Sequence, residues 1–176
     1  IGTESEPIQG GEKTTGYQRN FQINHTGRTL TTHTHYIQTS NDFRTELGFQ
    51  GRFFRADTDG VHQRVKLDFY PENSNINRWN TSLFSAYLKD NDRAKIYSLF
   101  VPGFGIDFDT NSFKIEYSDY SETLRPRDFA GITSNRVYKY ARSLFRYSNS
   151  TLNTLSFELT YRNGTALNLV PRMNEL

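Results

Sequence analysis

Apolar and polar residues alternate along most of this chain with a period of two. In Val61-His62-Gln63-Arg64-Val65-Lys66-Leu67-Asp68-Phe69 the apolar side chains take odd numbers, and charged or polar ones mostly fill the places between. Phe113-Lys114-Ile115-Glu116-Tyr117-Ser118 repeats the arrangement, and Leu155, Phe157, Leu159 and Tyr161 alternate with Ser156, Glu158, Thr160 and Arg162. Successive side chains of a strand point to opposite faces, so each stretch predicts a strand with one apolar and one charged side.

Residues 1–16, rich in Gly, Glu and Thr, read as a flexible lead-in. Tyr17, Phe21 and Ile23 then open the first strand, His25-Thr26-Gly27 makes a turn, and Arg28–Thr39 is a Thr-rich second strand. Thr45–Arg55 predicts a third, with Leu47, Phe49 and Phe53 on one face and Gly48 and Gly51 as bend points. Asp57-Thr58-Asp59-Gly60 carries the Asp-Gly signature of a hairpin turn. Further strands follow over Val61–Tyr70, Arg78–Lys89, Ala94–Asp109 (broken near Pro102-Gly103) and Asn111–Thr123. Leu124–Asn135 reads as the longest loop. Arg136–Tyr147 and Asn153–Arg162 form a last hairpin through Ser148-Asn149-Ser150-Thr151, leaving 166–176 as a tail. No helix of useful length emerges. The expectation is an all-β chain, an antiparallel up-and-down meander of roughly 8–10 strands. Residues 17–165 are expected to form an outer-membrane-type β-barrel, with a soluble β-sandwich or barrel as the alternative.

Composition narrows the function classes. Aromatics reach 15%, with 14 Phe and 11 Tyr, although hydrophobic residues make up only 35%. Disordered chains lack such rings, so the low hydropathy belongs to a folded chain. The 21 basic and 19 acidic residues nearly balance, which argues against a nucleic-acid footprint. There is no cysteine, hence no disulfide, thiolate metal site or cysteine nucleophile. No apolar run is long enough for a transmembrane helix, a limit that does not touch barrel strands of about ten alternating residues. The chain begins at Ile1 without a signal peptide, as expected of a processed chain or an excised piece.

Several segments together resemble a known family. They are Asp42-Phe43, Leu47-Gly48-Phe49, Phe69-Tyr70-Pro71, Asn80-Thr81-Ser82-Leu83-Phe84, Asp90-Asn91-Asp92, Pro102-Gly103-Phe104-Gly105-Ile106-Asp107-Phe108 and Ser112-Phe113-Lys114-Ile115-Glu116-Tyr117. Over roughly residues 17–164 they resemble the C-terminal outer-membrane β-barrel domain, of unknown function, of a bacterial family. That family carries an N-terminal domain like carbohydrate-binding module family 9. The match is one of strands and turns rather than a catalytic signature. These 176 residues do not include such an N-terminal domain and end at Glu175-Leu176 rather than on an aromatic residue, as expected either of a piece cut from a longer barrel or of a short independent relative.

Candidate chemistry is thin. His33-Thr34-His35 places two imidazoles on one strand face, roughly 7 Å apart, and His25, His62 or a carboxylate would have to complete a metal site. Asp107 and Asp109 share a strand face, and Asp68, Glu116 and Glu158 lie on the charged sides of others. A carboxylate pair does glycosidic chemistry only at a set separation, and rows of mixed charge also line hydrated barrel interiors. The Asp57–Gly60 and Asp90-Asn91-Asp92 stretches lack the remaining ligands of a calcium loop. Asn24, Asn80, Asn149 and Asn163 begin Asn-x-Ser/Thr triplets and read as hairpin residues. Trp79, Tyr70, Tyr87, Tyr97, Tyr117, Tyr120, Tyr138, Tyr140, Tyr147 and Tyr161 fall toward strand ends, as an interfacial girdle, a sugar-stacking surface or ordinary cross-strand pairs would have them.

The expected role follows from the two faces. Val65, Leu67, Phe69, Ile115, Tyr117, Phe157 and Leu159 would meet lipid, while Arg64, Lys66, Asp68, Lys114, Glu116, Glu158 and Arg162 would line the interior. This describes an anchor, pore or scaffold subunit in the bacterial outer membrane, not an enzyme, without catalytic, cofactor or metal residues. Its partners would be a lipid bilayer, with carbohydrate and other envelope chains as further candidates and no nucleic acid. The competing expectations are a soluble carbohydrate- or ligand-binding module, periplasmic or extracellular, and a structural subunit of a larger complex.

Overall fold

The computed structural model describes residues 2–5, 14–43, 57–72, 74–126, 131–152 and 155–165. They form nine strands: β1 (Gly2–Ser5), β2 (Thr14–Thr26), β3 (Leu30–Thr39), β4 (Thr58–Phe69), β5 (Ile76–Asp90), β6 (Lys95–Phe108), β7 (Asn111–Leu124), β8 (Arg136–Leu152) and β9 (Leu155–Gly164). Each strand pairs antiparallel with the next, so spatial order equals chain order. Among the described residues there is no helix.

The meander expected from the alternation is therefore present, with corrections at its joints. The supposed lead-in contains β1, whose residues pair with Thr14–Tyr17. So short a strand is held by backbone hydrogen bonds and shows no side-chain period. The Asp57–Gly60 turn is not a hairpin: Thr58, Asp59 and Gly60 already pair with Thr39, Gln38 and Ile37 of β3. Only Asp57, at φ 59°, keeps the left-handed geometry that such turns favour. The strand expected over Thr45–Arg55 lies outside the described residues. Pro102-Gly103 does not break β6, because Pro102 stays extended opposite Leu83. β8 runs on through Ser148–Thr151, with an irregular register between Asn149 and Leu152.

Closure is the larger correction. β1 pairs only with β2 and β9 only with β8, so among the described residues the sheet is open and no barrel is completed. Nor do the described residues form a second sheet that would make a sandwich. Alternation specifies faces and neighbours, whereas closure depends on strand tilt and cumulative register, which no local pattern encodes.

A small core sits at the end of the sheet that holds the β5–β6 turn. Ala86, Leu88, Ile96 and Tyr97 form a buried cluster, with Phe84, Leu99 and Tyr120 against it. Gly60 permits the close packing of β4 on β5 there, since a Cβ would fall 2.6 Å from the Tyr87 carbonyl oxygen and 2.8 Å from Leu88 Cγ.

Candidate functional site

The register sorts every described strand side chain onto one of two faces. Following pairs across the sheet, Phe21 meets Tyr36, Tyr36 meets Val61, and Val61 meets Tyr87. Farther along, Leu83 meets Pro102, Phe104 meets Ile115, Ile115 meets Phe145, and Phe145 meets Tyr161. Among the described residues, every exposed large hydrophobic side chain that lies on a strand falls on this one face, from Tyr17 on β2 to Tyr161 on β9. The residues expected to meet lipid (Val65, Leu67, Phe69, Ile115, Tyr117, Phe157 and Leu159) all belong to it. Single exposed hydrophobics are ordinary on a folded protein, but a surface continuous over eight strands is not.

This apolar face has margins. Phe69 stacks on Trp79 with centroids 3.9 Å apart, and Trp79 packs on Phe104 at 6.2 Å. Just beyond, Arg28 lies over the Tyr70 ring at 4.9 Å, and the Tyr70 hydroxyl donates to the Arg28 carbonyl. At the opposite margin, past Tyr36 and Tyr87, Lys89 pairs with Asp59 at 3.3 Å and Arg19 lies 4.7 Å over Tyr17. Val61 to Phe69 separates the two margins on β4, roughly 26 Å at about 3.3 Å per residue.

The opposite face is divided. Its far half carries ions: Asp68 is ion-paired with Lys66 at 2.8 Å and faces Arg78 at 3.5 Å, while Arg78 Nε donates to Asp107 at 2.7 Å. Lys114 pairs with Glu116 at 2.9 Å and Arg146 with Glu158 at 3.5 Å. Arg64 lies over the Phe84 ring at 5.5 Å. Asp68, Asp107, Glu116 and Glu158, the carboxylates considered for catalysis, are thus each ion-paired, and Asp109 falls in the turn after β6 rather than beside Asp107 on the strand. Such an arrangement balances charge along this half of the face.

Between these halves the sheet gathers histidines. His35 pairs across the ladder with His62, and His33 lies one strand position away on the same face. Ring centroids are 4.9 Å apart for His35 and His62, and 5.0 Å for His33 and His62. His33 Nε2 is 2.9 Å from His62 Nε2, and its Nδ1 reaches Asn24 Oδ1. His62 thus joins the His33/His35 pair, whereas His25, opposite Thr32, is on the apolar face. Among the described residues no three His, Cys, Asp or Glu side chains are arranged to hold a metal ion.

No family model, curated protein or solved structure matches this chain. Its chemistry must therefore be read from its own side chains.

One expectation about surface residues is corrected: Asn24, Asn80, Asn149 and Asn163 are all within strands, not hairpin turns. The aromatic residues divide between the faces: Trp79, Tyr87, Tyr117, Tyr147 and Tyr161 lie on the apolar face, and Tyr97, Tyr120, Tyr138 and Tyr140 lie on the other. Spacing toward strand ends did not reveal face, which register decides. The structure also assembles a buried polar group that no motif announced. Glu122 (0% exposed) receives the Tyr140 hydroxyl at 3.4 Å, Tyr140 stacks on Tyr120, and Arg125 (3%) lies 4.0 Å from Asp57. Asp57 also accepts from the Asn91 amide of the β5–β6 turn. Only the break of alternation at Glu122-Thr123-Leu124-Arg125, all buried, hinted at it.

Proposed function

We propose that the chain is a membrane-embedded β-sheet of the outer-membrane type, acting as an anchor, pore wall or scaffold subunit in a bacterial cell envelope. The observation that supports this is the confinement of exposed large hydrophobics to one face of adjacent strands, opposite a face of paired ions. A wet surface of that extent is unfavourable, because burying apolar area is worth about 25 cal/mol per Å². Hydrocarbon removes the penalty without requiring a second protein layer. The nine-residue run from Val61 to Phe69 is the length with which a tilted strand crosses a bilayer core, about 9–11 residues. Trp79 and Phe69 at one margin, and Tyr36 and Tyr87 with the Lys89–Asp59 pair at the other, have the amphipathic character of interfacial residues. The resemblance to the barrel domain of the envelope family points the same way.

A second reading, coverage of the face by another protein chain, is favoured by one feature. Thr34, Gln63 and Ser85 lie side by side on the apolar face, and such groups find hydrogen-bond partners in protein more readily than in lipid. The deciding experiment is purification with and without amphiphile. The membrane reading expects a monodisperse chain only in detergent or lipid, with gel mobility that changes on heating. A stable monodisperse chain in plain buffer overturns it.

A further inference from the structure

We propose that His33, His35 and His62, with Arg64, form an acid-gated binding site for a small oxyanion such as a sulfate, phosphate or carboxylate group. This inference concerns the polar face and does not require the other face to meet lipid.

The hydrogen bonds assign the protons. Asn24 Oδ1 can only accept, so His33 Nδ1 carries the hydrogen in that contact. A neutral His33 then presents a lone pair at Nε2, and the 2.9 Å contact makes His62 Nε2 the donor. The pair so arranged accommodates at most one further proton, at His62 Nδ1. Two imidazolium rings would direct N–H at N–H across 2.9 Å, so full protonation separates the rings and turns their N–H groups outward. His35, 4.9 Å from the His62 ring, adds a third proton-accepting imidazole.

The surroundings determine what the opened cluster would hold. On β2, Asn24 and Gln22 face it; on β3, Thr31; on β5, Ser82, Phe84 and Ala86. On β4 the charged neighbours are Arg64, paired with His33 across the ladder, and Lys66. Lys66 is engaged by Asp68 at 2.8 Å, and Glu116 farther across the sheet is engaged by Lys114 at 2.9 Å. Among the described residues of β2 to β5, no carboxylate lies on this face between the cluster and Asp68. Acidification therefore builds a positive charge that no carboxylate among these described residues compensates, which favours an anion from solution. Up to three imidazolium N–H donors and a planar guanidinium suit an oxyanion.

The test uses the whole chain and sulfate, whose charge is constant over the range. Sulfate should bind about tenfold more tightly near pH 5.5 than near pH 8. The H33Q/H62Q double variant should lose that pH dependence, and Arg64→Gln should weaken sulfate at the acid pH several-fold. Nitrogen-15 spectra of the native chain at the higher pH should show His33 as the Nδ1–H tautomer and His62 as Nε2–H, a readout independent of whether any variant folds. Equal sulfate affinity at the two pH values, or pH dependence retained in the double variant, would overturn the site. So would the same tautomer at both histidines, or tight Zn²⁺ binding near pH 8 without sulfate binding near pH 5.5.

Discussion

Replacing Leu83 by arginine, alongside the same change at Tyr87, separates lipid contact from every other fate of the apolar face. Leu83 is 37% exposed, pairs with Val65 and Pro102, and lies midway between Trp79 and Tyr87 at the two margins. Either margin is roughly 13 Å away along β5 at about 3.3 Å per residue. A strand tilt near 40° reduces this to about 10 Å of depth, close to the middle of a hydrocarbon core. An arginine there costs about 2–4 kcal/mol, whereas one near the interface costs about 0–1 kcal/mol. The folding equilibrium in lipid should fall about 30- to 900-fold for Leu83→Arg and no more than about fivefold for Tyr87→Arg. Reversible urea unfolding from lipid vesicles, followed through the fluorescence of the sole tryptophan, Trp79, measures both. On a surface facing water, both substitutions should stay within about 0.5 kcal/mol. Equal losses at the two positions, or no loss at either, would refute the depth argument.

Three further changes probe the rest of the sheet. Arg78→Ala removes the shared partner of Asp68 and Asp107, leaving buried Asp68 with Lys66 as its remaining cation among the described residues. It should cost about 1–3 kcal/mol by denaturant unfolding, and no loss would show the ion row to be ornamental to stability. Leu88→Ala empties the centre of the small core, where the side chain is 0% exposed, and should cost about 2–5 kcal/mol in the same assay. Gly60→Ala drives a methyl group toward the Tyr87 carbonyl, and should cost about 1–3 kcal/mol or shift the β4–β5 register seen by hydrogen exchange. A neutral result would mean the two strands approach less closely than described.

The period-two pattern made the strands from Val61 to Thr123 legible almost to their ends, because each exposes one face and packs its neighbours' side chains on the same parity. β1 was illegible, since Gly2–Ser5 has backbone pairing and no pattern. Asp57–Gly60 misled because an Asp-Gly pair signals a turn, yet here only Asp57 turns and the rest joins β4. The single apolar face was foreseen at Val65, Leu67, Ile115 and Leu159. The split of the other face, ionic around Arg78 and apolar around Leu88, was not. Leu88 and Lys66 look unalike in sequence but share a face only through the β4–β5 register. For the same reason His62 gave no sign of meeting His33 and His35. Pairing partners far apart along the chain are fixed by register, and one sequence carries no direct record of it.

Trp79 offers the most direct measurement of the central claim, because it lies on the apolar face stacked on Phe69 and its emission is unaccompanied by other indoles. Reconstituted into vesicles, the chain should show blue-shifted emission that is quenched more by lipids brominated high in the acyl chain, close to the interfacial position of Trp79, than by lipids brominated near the chain end. Emission insensitive to brominated lipid, from a chain that remains folded and dispersed in buffer alone, would contradict the account.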